Sequence, residues 1–399
     1  MSTHNQQSNS KISGRTAQRM SQIRPSGLRK LFDLEHKISK SSSQKILSFG
    51  LGNLNIPVMP EIIHQLKKEL DNPISHRYSP NAGLLELREA LATKYKTEYN
   101  LDYSPDHIIV TSGCLEALMD TFLALINPGE EILIQDPTFG YYANQIRLSE
   151  GKAIPIPLNE KFELEAEAVN ESISSKTKAI VLNFPSNPTG SVISREQTRD
   201  IVEMASDKGI IVISDESYEK IIYGGAKHTC AAEFDYDNVL ILSSFSKTFC
   251  MTGFRIGYVI GSPELLSPIF LVHQQNTACA STSSQIAAKI ALQMPHSIRD
   301  NMMKELSERR NETIKAFTSV NGIKLNYNPS GAFYIYPNVG GTGMNGTEFS
   351  EYVLENCQVV VVPGEEFGTT TNDHVRISYG FLEQSDIREA GERINRFFS

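Results

Sequence analysis

The chain has 399 residues, 40% of them hydrophobic and 21% charged, with a formal net charge of −8. That length and mixture suit a globular protein of two domains, and the acidic balance excludes the usual profile of a nucleic-acid or anionic-membrane binder. Cys114, Cys230, Cys250, Cys279 and Cys357 form no CxxC pair and meet no histidine at zinc spacing, so no metal is expected, and the thiols read as reduced ones in a cytoplasmic protein.

Residues 1 to 14 are polar and rich in Ser, Asn and Gln, and are expected to be disordered. Through Ser26 there is no acid, whereas Lys11, Arg15, Arg19 and Arg24 are present, which is the composition of a transit peptide. No signal-peptide core is visible, and no apolar run approaches the roughly 18 residues of a membrane helix. From about residue 60 to 290 strand and helix signals alternate, which predicts an α/β fold with a large, doubly wound, mainly parallel sheet.

Within that core, four strand ends carry chemistry. Ile108 to Thr111 breaks at Ser112-Gly113 and passes into a helix-forming run, so the amides of Gly113, Cys114 and Leu115 are candidates for an anion site. Glu131 to Gln135 leads to Asp136-Pro137-Thr138-Phe139, where an aromatic ring can stack on a ligand or simply fill the core. Ala179 to Phe184 ends in Pro185-Ser186-Asn187-Pro188-Thr189-Gly190, whose two prolines stiffen the turn around the Asn187 amide. Gly209 to Ser214 is a continuous apolar run, as in a strand buried on both faces, and it delivers Asp215 and then Tyr218 to the crevice beyond its end.

Val239 to Leu242 then feeds into Ser244-Phe245-Ser246-Lys247-Thr248, with Arg255 and Gly257 following. A lysine at a strand end beside phosphate-binding groups suits pyridoxal phosphate: the amine meets the cofactor aldehyde, while Ser244 and Arg255 hold the phosphate. Asp215 then pairs with the ring nitrogen, and Tyr218 donates to the ring oxygen. Taken singly, Ser-x-Ser-Lys reads as an exposed loop and Asp215 as an acidic turn. The combination is what is specific.

Beyond residue 290 the pattern changes. A charged helix over Ser297 to Phe317 precedes short strands at Ala332 to Tyr336 and Val359 to Val362, a Pro363-Gly364 turn, a strand around Arg376 and a final helix ending near Phe398. This predicts a smaller α+β domain over 291–399, joined by 15–60, beside a large domain over 61–290. The site is expected in the cleft between them.

Together these motifs resemble the fold-type-I pyridoxal phosphate enzymes of the class I/II aminotransferase family, in its aspartate and aromatic branch, from about Arg19 to the C-terminus. The resemblance implies Lys247 as the Schiff-base lysine, Asp215 as partner of the pyridinium, and Tyr218 and Asn187 as ring-oxygen contacts. It places Phe139 against the ring, and Ser244, Ser246, Arg255 and the amides of Gly113 to Leu115 on the phosphate. Arg376 matches the arginine that takes the substrate α-carboxylate, with Gly52 a backbone contact to the same group and Asn187 beside them. Tyr78, in Arg77-Tyr78-Ser79-Pro80-Asn81-Ala82-Gly83, matches a tyrosine that reaches the neighbouring subunit's cofactor, which implies a homodimer. The family arm already begins at Arg19, so little is left for a transit peptide to contain.

The departure lies at Gly50-Leu51-Gly52-Asn53-Leu54-Asn55, where relatives read Gly-x-Pro-Asp. The expected reaction is ping-pong transfer of an amino group between an amino acid, aspartate or aromatic in type, and a 2-oxo acid such as 2-oxoglutarate. A β-lyase or decarboxylase on the same scaffold, and a non-catalytic binding protein, are the alternatives.

Overall fold

A computed structural model describes residues 16–23, 33–36, 38, 44–295 and 297–398. The expected disordered tail, 1–14, lies outside the described residues, as does much of the predicted N-terminal arm.

The central sheet has seven strands: β2 (Ile108–Thr111), β3 (Glu131–Asp136), β4 (Lys152–Pro157), β5 (Thr177–Asn183), β6 (Ile211–Asp215), β7 (Val239–Ser244) and β8 (Gly257–Ile260). Their order is β2-β8-β7-β6-β5-β3-β4, and only β8 runs against its neighbours. Period-two geometry explains the continuous apolar runs. Ile180, Leu182, Val212 and Ile241 enter the core on one face, while Val181, Ile211, Ile213, Leu240 and Leu242 enter the core on the other. Helices cover both faces, so neither set meets water.

Local sequence sets the helix starts. The Arg195–Asp207 helix opens on a Ser194/Gln197 capping box, and the Gly346–Cys357 helix on an Asn345/Glu348 one. Among the described residues no helix is long and apolar enough to cross a membrane.

A second apolar core gathers Leu47 and Phe49 with residues from Met302 to Ile394. The Ile298–Thr318 and Gln384–Phe398 helices pack together there. Ile387, Ala390 and Ile394 form the inward face, and Gly391 lets the backbone of Ala316 approach to a distance no side chain would permit. Two small sheets complete this part. β1 (Leu47–Ser48) runs parallel to β10 (Val359–Val360), and β12 (Val375–Ser378) lies between β11 (Val362–Pro363) and β9 (Tyr334–Ile335).

Two details differ from the sequence expectation. The run Val359 to Val362 is not one strand: its halves pair in different sheets, β10 with β1 and β11 with β12. Within Ala332 to Tyr336 only Tyr334 and Ile335 are strand, and Ala332 has a left-handed backbone, φ 53°. Every side chain in both runs is buried, so burial pattern alone carries no signal of where pairing begins or changes partner.

Candidate active site

The C-terminal ends of β5, β6 and β7 open into a cavity of about 400 Å3 that is closed on its far side by residues of the second core. Cys114, Leu115, Phe139, Asn187, Asp215, Tyr218, Ser244, Ser246, Lys247 and Arg255 line it from the sheet side. Gly52, Tyr334 and Arg376 line it from the other. The strand-end residues picked out in the sequence are therefore brought together, although they span more than 260 positions from Cys114 to Arg376.

Lys247 belongs to the short Phe245–Thr248 helix that follows β7, and it is half-buried. Its Nζ donates to the Gly52 carbonyl at 2.6 Å. Withdrawal from water, then the positive charges of Arg376 and Arg255, push its ammonium down to about 8. The amine is thus far easier to deprotonate than an ordinary lysine.

Asp215 ends β6 and is buried. Tyr142 Oη donates to its Oδ2 at 2.7 Å, and Ser217 Oγ donates to its Oδ1 at 2.7 Å. Burial raises its carboxyl above the usual range, and those donors oppose the rise by favouring the anion. Tyr218 is buried with its hydroxyl 2.8 Å from that of Tyr334, and burial pushes both phenols up.

Arg376, on β12, is buried and lies between two rings, with its guanidinium carbon 4.9 Å from the Tyr334 centroid and 4.7 Å from that of Phe367. Its Nη1 donates to Asn187 Oδ1 at 3.1 Å and its Nη2 to the Gly50 carbonyl at 2.6 Å. Its Nε is buried and has no hydrogen-bond partner among the described residues. A planar donor edge of this kind, stacked but incompletely satisfied, suits a carboxylate.

At the other end of the cavity Gly113 precedes the Cys114–Leu125 helix with φ 93°, a conformation that favours glycine. A Cβ there would stand 2.6 Å from an Arg255 guanidinium nitrogen, so this glycine lets the arginine pack against the helix start. Free N–H groups at that start and the Arg255 cation converge on one corner, beside Ser244 and Ser246. Tyr78 is not part of this cavity; it is 90% exposed. Glu116, Asp120 and His273 lie together outside the cavity, as do Glu216, Glu219 and His228, and hydrogen bonds and ion pairs already engage both sets.

Sequence reasoning missed Tyr142, Ser217, Tyr334 and Phe367. Each touches a residue that it did identify, but nothing local marks them. Tyr142 looks like one more aromatic after Phe139, and Tyr334 like an ordinary strand residue.

The Aminotransferase class I and II family model matches residues 44–394. An aspartate aminotransferase of Pyrococcus horikoshii is 37% identical over 384 residues, covering 95% of this chain and 96% of its own. The aromatic-amino-acid aminotransferase 2 of Thermococcus litoralis is 34% identical, over 95% of this chain and 97% of its own. The crystal structure of an aromatic aminotransferase from Pyrococcus horikoshii superposes with a TM-score of 0.85 at 34% identity, covering 91% of this chain and 98% of that one. With a matched segment that includes every residue of the cavity, the chain belongs to the class I and II aminotransferases and is an enzyme of amino-group transfer.

Proposed function

We propose that this enzyme uses pyridoxal phosphate to pass an amino group from an aspartate-type or aromatic amino acid to a 2-oxo acid such as 2-oxoglutarate. The observation that carries the reading is the lowered amine of Lys247 in a cavity it shares with the buried Asp215 carboxylate and with Arg376, whose buried Nε has no hydrogen-bond partner among the described residues. The donor set fits the cofactor: a cationic, amide-rich corner suits a phosphate, and a buried carboxylate suits a protonated ring nitrogen.

When bound, pyridoxal phosphate supplies an aldehyde carbon that takes up the amino group and a ring that accepts the electron pair left at the substrate Cα. Arg255, Ser244, Ser246 and the amides of Gly113, Cys114 and Leu115 would hold its phosphate. Phe139 would pack on the ring, and Asn187 and Tyr218 would face its ring oxygen. Asp215, whose anionic form Tyr142 and Ser217 favour against the effect of burial, would pair with the ring nitrogen.

Arg376 binds the α-carboxylate of either substrate through its planar edge, with Gly52 contributing backbone. That anchor orients the Cα–H bond toward Lys247. The neutral Lys247 amine would act there as the general base that takes and returns the Cα proton, a task for which a pKa near neutrality is suited.

The reading includes a homodimer in which Tyr78 serves the partner's phosphate corner; the exposure of Tyr78 supports it. It also includes a cytoplasmic setting, supported by five free cysteines. The large domain would span 61–290 and the small one 15–60 with 291–399. A panel of amino donors against 2-oxoglutarate, with the visible cofactor band followed, tests the reading. Conversion of the cofactor to its amine form supports transamination. A retained aldehyde form with ammonia release points to a lyase, and an unchanged spectrum to a binding protein.

A further inference from the structure

His273, on the Pro263–Asn276 helix, is fully buried yet faces two acids. Its Nδ1 lies 3.1 Å from Glu116 Oε1 and 3.3 Å from Asp120 Oδ2, and its Nε2 lies 3.0 Å from the Asn81 carbonyl. A carbonyl only accepts, so Nε2 carries a proton. An unprotonated Nδ1 would set its lone pair against two carboxylates. With both carboxylates ionised, the geometry suits an imidazolium that donates from both nitrogens. Burial opposes that charge, but the hydrogen bonds and charges of Asp120 and Glu116 outweigh it and raise the ring to about 9. Among the described residues Glu116 and Asp120 are the charged groups that face it. Asn276 of its own helix donates to Asp120 Oδ1 at 3.0 Å, and the loop contributes the Asn81 carbonyl.

The segments joined here both bear on the cavity. Glu116 lies in the first turn of the Cys114–Leu125 helix, and its second oxygen accepts from the Ser112 amide, so it fixes the turn that presents Gly113 to Arg255. Asn81 belongs to the loop that carries Tyr78, and its side chain donates to the Ala278 carbonyl at 2.6 Å.

We propose that His273 is a positioning residue: its imidazolium clamps the 77–83 loop to the start of the Cys114–Leu125 helix and so holds the phosphate corner in shape. The inference rests on the reading of that corner as the phosphate site. The folded pKa, about 9, lies above the ordinary value of about 6.5. The clamp's contribution is thus fully present below the ordinary value and is lost as pH rises through about 9.

The test measures pyridoxal phosphate binding by equilibrium dialysis for the full-length protein, its His273→Gln variant and Arg255→Ala. Glutamine keeps a donor but no charge, leaving the buried Asp120 and the part-buried Glu116 carboxylates without a cation. At neutral pH His273→Gln should weaken binding by about tenfold or more. The wild type should converge on the variant as pH passes about 9, while KM for the amino acid at saturating cofactor stays unchanged. If Arg255→Ala weakens binding and His273→Gln does not, the clamp is wrong and the phosphate corner stands. If neither does, the corner is wrong and the clamp falls with it. Nuclear magnetic resonance of the wild-type histidines needs no variant: a neutral His273 ring at neutral pH overturns the proposal.

Discussion

The hydroxyl of Tyr142 donates to Asp215 Oδ2 at 2.7 Å, and both side chains are buried. A strand-end carboxylate is thereby held by a residue from the helix that follows a different strand, β3. Two opposed influences act on Asp215: burial favours its neutral form, and Tyr142 is first among the donors that favour the anion.

Tyr142→Phe should therefore shift Asp215 further toward the neutral acid. Shape and apolar contacts are kept, and one charge-assisted hydrogen bond is lost, which is worth about 1.5–3 kcal/mol. If the ring-nitrogen role is right, kcat at saturating cofactor falls by about tenfold or more. Steady-state kinetics check this, and an unchanged kcat would show that the anion does not depend on Tyr142.

Lys247 gives a pH signature. Only the neutral amine attacks an aldehyde, so capture of pyridoxal by the cofactor-free protein, trapped with borohydride, should rise with pH and reach half its maximum near 8. An ordinary lysine would place that midpoint near about 10.4. Lys247→Ala should fold, lose this capture and retain less than about a thousandth of wild-type turnover.

Arg376→Lys should raise KM for the amino acid and for the oxo acid together, by the equivalent of about 2 kcal/mol or more, while pyridoxal phosphate affinity is nearly unchanged. A lysine lacks the planar edge that stacks between Tyr334 and Phe367, so it cannot reproduce either contact. An effect on one substrate alone would mean that Arg376 reads a side chain.

The dimer is testable by mixing. Tyr78→Ala and Lys247→Ala should each be nearly inactive alone. In a mixed dimer one site then carries both defects and the other neither, so random mixing restores about a quarter of wild-type activity. No recovery under conditions where subunits exchange would remove Tyr78 from the partner's site.

The parts of this site legible in the sequence are those where a buried strand ends. Asp215, Asn187 and Lys247 each follow a run of apolar residues whose length and continuity announce a strand covered on both faces, and the crevice lies where such strands stop. The residues that tune them were not legible. Tyr142 meets Asp215 across 73 positions and Tyr218 meets Tyr334 across 116, contacts that only the folded chain creates. The valines of 359–362 failed for a different reason. A uniform apolar run has no period, so it shows burial but not which neighbour each half will pair with.

Lys247 and Arg376 both rest on main-chain oxygens of one short segment, those of Gly52 and Gly50. Carbonyls are common to every residue type, so the two contacts ask nothing of the neighbouring side chains, although a Cβ at Gly52 itself would stand 2.6 Å from Tyr334 Oη. Neither contact uses a side chain of Asn53-Leu54-Asn55. What the segment must keep is its path: an insertion or deletion there would disconnect both cations at once, whereas exchanging the exposed Leu51, which lines the cavity, would leave both contacts in place.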